Sequence, residues 1–297
     1  MRNIRFNSLV RAAMTHEHAQ NRLGITIFLN VVITVAQIIG GIISGSLALI
    51  SDALHNLSDS LAVVLAYIAN RLSGREKTSK STFGFQRAEI IAAFINALVL
   101  VVISFYLMVE AIKRYFDPQV IDFRWMLWLG ILGIAANGFS VFLLHADQNH
   151  NLNIKAAYLH LMGDAMTSVA VVVGALCIWL WDWYWIDPTI TLLISFYLLL
   201  HTYKLLKEST EILMQFAPSN ISVPEIARRL TEHDQVAQVY HIHVWRLTDR
   251  TVHFEAHVVL NSDLKLSETK IINKQLAQIL IEEFEIQHIT LQLECVK

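Results

Sequence analysis

The chain is 297 residues long, 55% hydrophobic and 16% charged, with a mean hydropathy of +0.46. Soluble domains sit nearer about 45–50% apolar and about 25% charged, so this composition excludes an ordinary soluble protein and points to a membrane. The net charge of -2 offers no basic field for phosphates, which excludes nucleic acid as a partner. Two cysteines far apart in sequence, Cys177 and Cys295, exclude a disulfide framework and a CxxC zinc pattern.

Met1 to Arg22 is polar and mixed in charge. The apolar run behind it is long enough to span, so it reads as a retained helix rather than a cleaved leader. Crossing a bilayer takes about 20 apolar residues as helix, and six stretches meet that requirement. The first lies between Arg22 and Asp52, where no charged residue occurs. The second runs from Asp52 to Asn70 and carries Asp59. The third runs from Ile90 to Val109, the fourth from Trp125 to Leu144. The fifth runs from Ala156 to Trp181 and carries Asp164, and the sixth lies between Trp183 and Lys204.

With the N-terminus in the cytoplasm, the inner flanks hold Arg22, Arg71, Arg75, Lys77, Lys80, Arg87, Lys155, Lys204 and Lys207. The outer loops hold only Lys113, Arg114 and Arg124, so the basic bias sets this orientation. Trp179, Trp181, Trp183, Tyr184 and Trp185 fit an aromatic belt at the outer interface. Six spans return the chain to the cytoplasm.

After Lys207 the character changes. Ser222-Val-Pro-Glu225 reads as an N-cap, an early proline and a glutamate in the first helical turn, opening an amphipathic helix to His233. Val239 to Trp245 and Val252 to Leu260 read as strands with a turn near Asp249. Leu266 to Glu283 reads as a second helix, and His288 to Glu294 as a third strand. The order αββαβ predicts a small α+β domain with helices on one face of a three-stranded sheet. The chain thus divides into a cytoplasmic tail (1–22), an all-α six-helix transmembrane domain (23–208) and a cytoplasmic αββαβ domain (209–297).

Ionisable residues in mid-membrane are costly, about 2.5–3.5 kcal/mol for Asp on insertion scales, and so mark function. The second span reads Ser51-Asp-Ala-Leu-His55-Asn-Leu-Ser-Asp59, and the fifth reads Tyr158-Leu-His160-Leu-Met-Gly-Asp164. Each contains His-x-x-x-Asp, a spacing that puts both side chains on one helix face. A lone intramembrane histidine more often only hydrogen-bonds. The same costly pair twice, in two spans, points instead to a metal site. His55, Asp59, His160 and Asp164 then form a two-nitrogen, two-oxygen set suited to tetrahedral zinc. Imidazole also suits cadmium and cobalt, whereas manganese prefers oxygen-rich octahedral sites. Asp52, at the interface end of its span, is a weaker candidate that can simply start the helix.

These segments resemble the cation diffusion facilitators, the family of bacterial cobalt–zinc–cadmium exporters and animal zinc transporters. The likeness is carried by Ser51 to Asp59, Phe83-Gly-Phe-Gln-Arg-Ala-Glu89, Ala157 to Asp164 and His243-Val-Trp245. It implies six helices, a cytoplasmic metallochaperone-like (ferredoxin-like) domain, a homodimer, and exchange of metal for protons. The family's transport ligands fall on His55, Asp59, His160 and Asp164. The family's His-rich loop between spans four and five is short here, with only His145 and His150, which fits a bacterial inner membrane. The loop from Arg71 to Arg87 contains no histidine, so no metal site is expected there.

Period-two reading of the three strands puts Tyr240, Ile242, Val244, Phe254, Ala256, Val258, Ile289, Leu291 and Leu293 on the face toward the helices. His241, His243, Trp245, His253, Glu255, His257, Thr290, Gln292 and Glu294 take the open face. A three-residue loop at Asp249-Arg250-Thr251 would set His243 opposite His257; a two-residue loop would pair it with Ala256. His243, His257 and Glu294 are therefore a candidate second metal site, on the same residues the resemblance implies, with zinc as a regulatory ligand. His241, Cys295, His16 and His18 are further candidates. The alternative is a polar dimer face of satisfied histidines.

Zinc binds neutral imidazole and ionised carboxylate, so loading releases protons and couples transport to a proton gradient. Three other readings compete. An intramembrane metalloenzyme needs an open coordination position and a base, and four protein ligands leave neither. A channel would be blocked by so closed a cage. A metal sensor leaves the intramembrane ligands without purpose.

Overall fold

The computed structural model describes residues 30–145 and 152–296. His16, His18 and His150 lie outside them. Two compact units are present. One takes the chain up to Val64 with Asn96–Tyr203; the other takes Leu65–Ile95 with Lys204–Lys297.

The first unit is helical, and some of its helices continue into residues counted with the second. Helix α1 is Asn30–Ser44, followed by α2 (Leu47–Ser73), α3 (Ala88–Phe116), α4 (Phe123–His145), α5 (Leu152–Trp181) and α6 (Ile186–Leu213). Among the described residues four helices, α3 to α6, are long and apolar enough to cross a membrane. Helix α2 is long enough, but Asp52, His55, Asn56, Ser58, Asp59 and Ser60 interrupt its apolar character. The helices outrun the apolar stretches that announce them: α3 continues through Glu110, Lys113 and Arg114 to Phe116. A charge at the membrane surface ends an apolar run without ending a hydrogen-bonded helix. Likewise α6 runs unbroken to Leu213.

The packed interior of this unit joins Ala48 and Leu49 of α2, Met126 and Leu129 of α4, Val171, Ala175 and Ile178 of α5, and Ile190, Ile194 and Leu198 of α6. Large apolar side chains such as Val102, Phe105, Leu193 and Phe196 point outward, as lipid-facing residues do. Trp179, Trp181, Trp183 and Trp185 are exposed around the α5–α6 turn, with Trp181 stacked on Trp183 at 5.2 Å.

The start of α2 is fixed by residues far away in sequence. Gly45 turns the chain between α1 and α2 at φ 73°, a conformation that glycine adopts without strain. Ser46 then caps the helix, accepting from Leu49 N at 3.1 Å. Asp187, in the first turn of α6, accepts from Leu47 N (3.0 Å), Ala48 N (3.2 Å) and Ser46 Oγ (2.5 Å). Its charge is met by Arg114 of α3 at 3.7 Å, which also donates to the Gly45 carbonyl. A carboxylate at a helix N-terminus satisfies orphan N–H groups and opposes the helix dipole.

In the second unit α7 (Val223–Thr231), β1 (Val236–Arg246), β2 (Val252–Leu260), α8 (Leu266–Phe284) and β3 (His288–Cys295) follow the expected αββαβ order. Ser222 caps α7 by accepting from Glu225 N. The sheet order is β1-β2-β3, with β1 antiparallel to β2 and β3 parallel to it. Its core joins Ile226 and Leu230 of α7, Ile272, Leu276 and Leu280 of α8, and Val244, Phe254, Ala256 and Val258 of the sheet.

The hairpin register departs from both expected loops. Arg246 pairs with Val252, and Leu247 N donates to Thr251 O at 2.8 Å, so the loop is residues 247–251. His243 consequently faces Glu255, not His257 or Ala256. A register shift follows between Tyr240 and His243, where His241 takes φ 52°. One extra residue in a strand flips the side chains beyond it to the other face. Tyr240 therefore leaves the expected core face and stands opposite His257, and Val239 packs on the core in its place.

Candidate metal site

The two His-x-x-x-Asp pairs that the sequence singles out come together. His55 and Asp59 lie one turn apart on α2, His160 and Asp164 one turn apart on α5, and one ligand atom from each lies within 4.8 Å of the others. Across the helix pair, His160 Nε2 stands 3.1 Å from Asp59 Oδ2 and His55 Nε2 stands 3.4 Å from Asp164 Oδ1. Along each helix the distances are 3.5 Å (His55–Asp59) and 3.7 Å (His160–Asp164). The imidazoles meet edge to face, centroids 5.7 Å apart.

Asp164 and His55 are buried, whereas the His160 side chain is 42% exposed. Asp59 Oδ2, Asp164 Oδ2 and His55 Nδ1 are closed to solvent and make no hydrogen bond. The short contacts are thus ionic in distance but not aligned as hydrogen bonds. Two carboxylates held this close in a buried site repel, and the arrangement asks for positive charge between them. In a tetrahedron with metal bonds of about 2.0–2.1 Å, ligand atoms stand about 3.3–3.4 Å apart. The four His–Asp distances bracket that value. Among the described residues no other group of three or more His, Cys, Asp or Glu converges as closely.

Asp52 is not part of this group. It is fully buried, and its carboxylate is turned to Gln37, Thr167 and Ser168. The sequence signal for that arrangement was the presence of Gln37 and Asp52 in otherwise apolar stretches. Only packing shows that they meet.

On the sheet, the expected trio is partly assembled. His257 Nδ1 lies 2.7 Å from Glu294 Oε1. Glu294 Oε2 accepts from the Tyr240 hydroxyl at 2.7 Å, and Oε1 accepts from Gln292 Nε2 at 2.9 Å. The Tyr240 hydroxyl, then His257, hold the Glu294 carboxyl below its usual range. The bulge brings His241 between the two other histidines, its ring centroid 4.8 Å from His243 and 5.2 Å from His257. Farther along the same face, His253 stacks against Trp245 at 5.2 Å and His288 at 4.5 Å, with the Phe83 ring edge-on at 5.5 Å.

Comparison with known proteins places most of the chain. The family model for the cation efflux transmembrane domain matches residues 23–214, and that for the cation efflux protein cytoplasmic domain matches residues 218–296. The chain is 34% identical to the metal cation efflux system protein CzcD of Cupriavidus metallidurans, covering 95% of this chain and 90% of that one. It is 35% identical to the zinc transporter ZitB of Escherichia coli, covering 87% and 82%. It is 34% identical to the cadmium, cobalt and zinc/H(+)-K(+) antiporter of Bacillus subtilis, covering 88% and 84%. A solved structure, the metal-bound C-terminal domain of the CzcD transporter, is 26% identical over 25% of this chain and 99% of that one, at a TM-score of 0.23.

Proposed function

Since the chain belongs to the cation efflux family and is an integral membrane transporter rather than an enzyme, we propose that it exports zinc from the cytoplasm in exchange for protons, through a site formed by His55, Asp59, His160 and Asp164. The observation that carries this is the spacing of the four His–Asp pairs, 3.1–3.7 Å, which suits a small tetrahedral cation. Cadmium and cobalt share the required ligand chemistry, and both are named for the Bacillus subtilis relative.

In this reading zinc is the cargo, and the chain's own groups do the rest. Asp59 and Asp164 supply the negative charge that makes a dehydrated divalent ion tolerable in the membrane. His55 and His160 bind zinc as neutral imidazoles and take up protons when it leaves, since histidine titrates near neutrality. Alternating exposure of the site to the two sides completes the cycle. The proposed topology is six spans, α1 to α6, in a bacterial inner membrane, with both termini in the cytoplasm. The proposed division remains a tail (1–22), a transmembrane domain (23–208) and a metallochaperone-like domain (209–297).

The cytoplasmic domain is proposed to hold the homodimer together and to bind regulatory zinc at His243, His257 and Glu294. The His257–Glu294 contact is the preformed half of that site. His243, beyond the ring of His241, completes it on binding. Metal there would bias transport only through different affinity for the two states.

The test is zinc uptake by proteoliposomes of the full chain under an imposed pH gradient. Wild type should accumulate zinc and His55→Ala and Asp164→Ala should not. Equal uptake by all three would remove the quartet from the transport path and reopen the sensor and enzyme readings.

A further inference from the structure

Three helices meet at a fully buried carboxylate one turn from the quartet, and this group has no part in the function described so far. Asp52 precedes His55 by three positions on α2, so the two share a helix face. Its Oδ1 lies 2.6 Å from Thr167 Oγ1. Its Oδ2 accepts from Gln37 Nε2 at 2.9 Å and from Ser168 Oγ at 3.1 Å. Gln37 belongs to α1, Thr167 and Ser168 to α5. Gln37 Oε1 returns to α2 through Asn56 Nδ2 at 3.4 Å. The fourth helix closes on the same point. A methyl group at Gly133 of α4 would stand 2.8 Å from Ser168 Oγ and 2.9 Å from Gln37 Nε2. No Cβ fits there, so the backbone of α4 rests directly on the cluster.

We propose that Asp52 is a positioning residue that sets the separation of α2 and α5 at the quartet, and with it the size of cation the site accepts. The inference rests on the quartet reading and deepens it. Asp52 Oδ2 is held by two donors, Oδ1 faces the Thr167 hydroxyl, and Asp52 is not among the converging ligand atoms. What the carboxylate does instead is tie. The Thr167 hydroxyl lies 2.8 Å from the Asp164 main-chain carbonyl as well as 2.6 Å from Asp52. With one proton it donates to one acceptor at a time, and it stands between the buried carboxylate and the backbone of a quartet residue. Buried polar contacts resist separation, because breaking one leaves a polar group unpaired at low dielectric. Pinned at Asp52, α2 and α5 cannot drift apart one turn further on, where His55 faces Asp164 and Asp59 faces His160. The gaps across the helix pair, 3.1 and 3.4 Å, match the ligand-to-ligand spacing of about 3.3–3.4 Å around a tetrahedral zinc. A larger cation needs wider gaps.

The test uses the purified full chain in proteoliposomes, with initial rates of zinc and cadmium uptake measured separately. Thr167→Val keeps the side-chain shape and removes the hydroxyl. Thr167→Ser keeps the hydroxyl. Gly133→Ala pushes on the cluster from α4 without touching Asp52 or the quartet. Groups that hold metal ligands in place are worth about 10- to 100-fold in affinity. Thr167→Val and Gly133→Ala should therefore raise the cadmium-to-zinc rate ratio by about tenfold, at the low end of that range. Thr167→Ser should keep the wild-type ratio. The visible absorption of bound cobalt, intense only in tetrahedral sites, should weaken in the first two variants and not in the third.

If Thr167→Val and Gly133→Ala leave the ratio and the cobalt spectrum at wild type, even with both rates lowered in step, the cluster only stabilises the fold and the proposal is overturned. Should Gly133→Ala fail to fold, the Thr167→Val and Thr167→Ser pair decides alone. The two readings fail differently. Normal transport by Asp164→Asn removes the quartet itself. A dead Asp164→Asn beside a wild-type ratio in Thr167→Val removes only the positioning role.

Discussion

His160 Nε2 and Asp59 Oδ2 meet across the α2–α5 interface at 3.1 Å, closer than either residue lies to its own partner one turn along the helix. The same holds for His55 and Asp164, at 3.4 Å. The quartet is thus two His–Asp pairs exchanged between helices. Each helix presents an imidazole to the other's carboxylate, and neither helix holds a complete half-site.

Replacing Asp164 by Asn removes charge and leaves the shape. In the proposed site Asp164 is a direct ligand, and its loss should cost at least the roughly 10- to 100-fold in affinity that supporting groups are worth. Zinc-driven proton release in proteoliposomes should fall to background while the purified protein keeps its thermal transition.

Asp187→Ala tests the clamp on α2. It leaves Leu47 N and Ala48 N without their acceptor, and the Arg114 guanidinium without its counter-ion, in a buried place. Breaking one side of a buried ion pair costs about 3–5 kcal/mol. The thermal transition in detergent should drop markedly, and Asp187→Glu should recover only part of the loss.

Gly45→Ala should destabilise by about 1–2 kcal/mol, the cost of a left-handed backbone for a residue with a Cβ. The space itself is open, the nearest atom to an added Cβ being Val120 O at 3.7 Å. The loss should therefore appear in chemical or thermal unfolding without a change in zinc-to-cadmium preference.

His253 gives the second unit a pH dependence. Burial, then the neighbouring His288 and Arg87, hold its pKa below the ordinary 6.5. The folded state therefore favours the neutral ring, and the unfolded chain binds the extra proton. The contribution is fully present above pH 6.5 and is lost as pH falls from there through the lowered folded value. Unfolding midpoints recorded between mildly acidic and neutral pH should fall on the acid side in wild type. His253→Phe should flatten that dependence, since Phe keeps the stack on Trp245 and cannot take a proton.

The helices and strands were largely legible because their signals are local. Apolar length announced α3 to α6, and the Ser222–Glu225 cap announced α7. Period two sorted β2 and β3 correctly. It failed on β1 beyond His241, because a bulge depends on how one strand pairs with another and leaves no mark on its own alternation. Helix ends were misplaced for a related reason: hydropathy marks where lipid stops, whereas capping and hydrogen bonds decide where a helix stops.

The candidate site divides along the same line. His-x-x-x-Asp occurring twice is a periodicity, and one helix turn suffices to put each pair on one face. That much the sequence by itself determined, together with the membrane character and the αββαβ order. Which imidazole faces which carboxylate, that Asp52 is tied to α1 and α5 instead of joining the quartet, and that Asp187 caps a helix from the far end of the domain were decided only by the tertiary structure. These are contacts between segments distant in the chain, made where burial leaves each polar group no acceptor or donor except another helix.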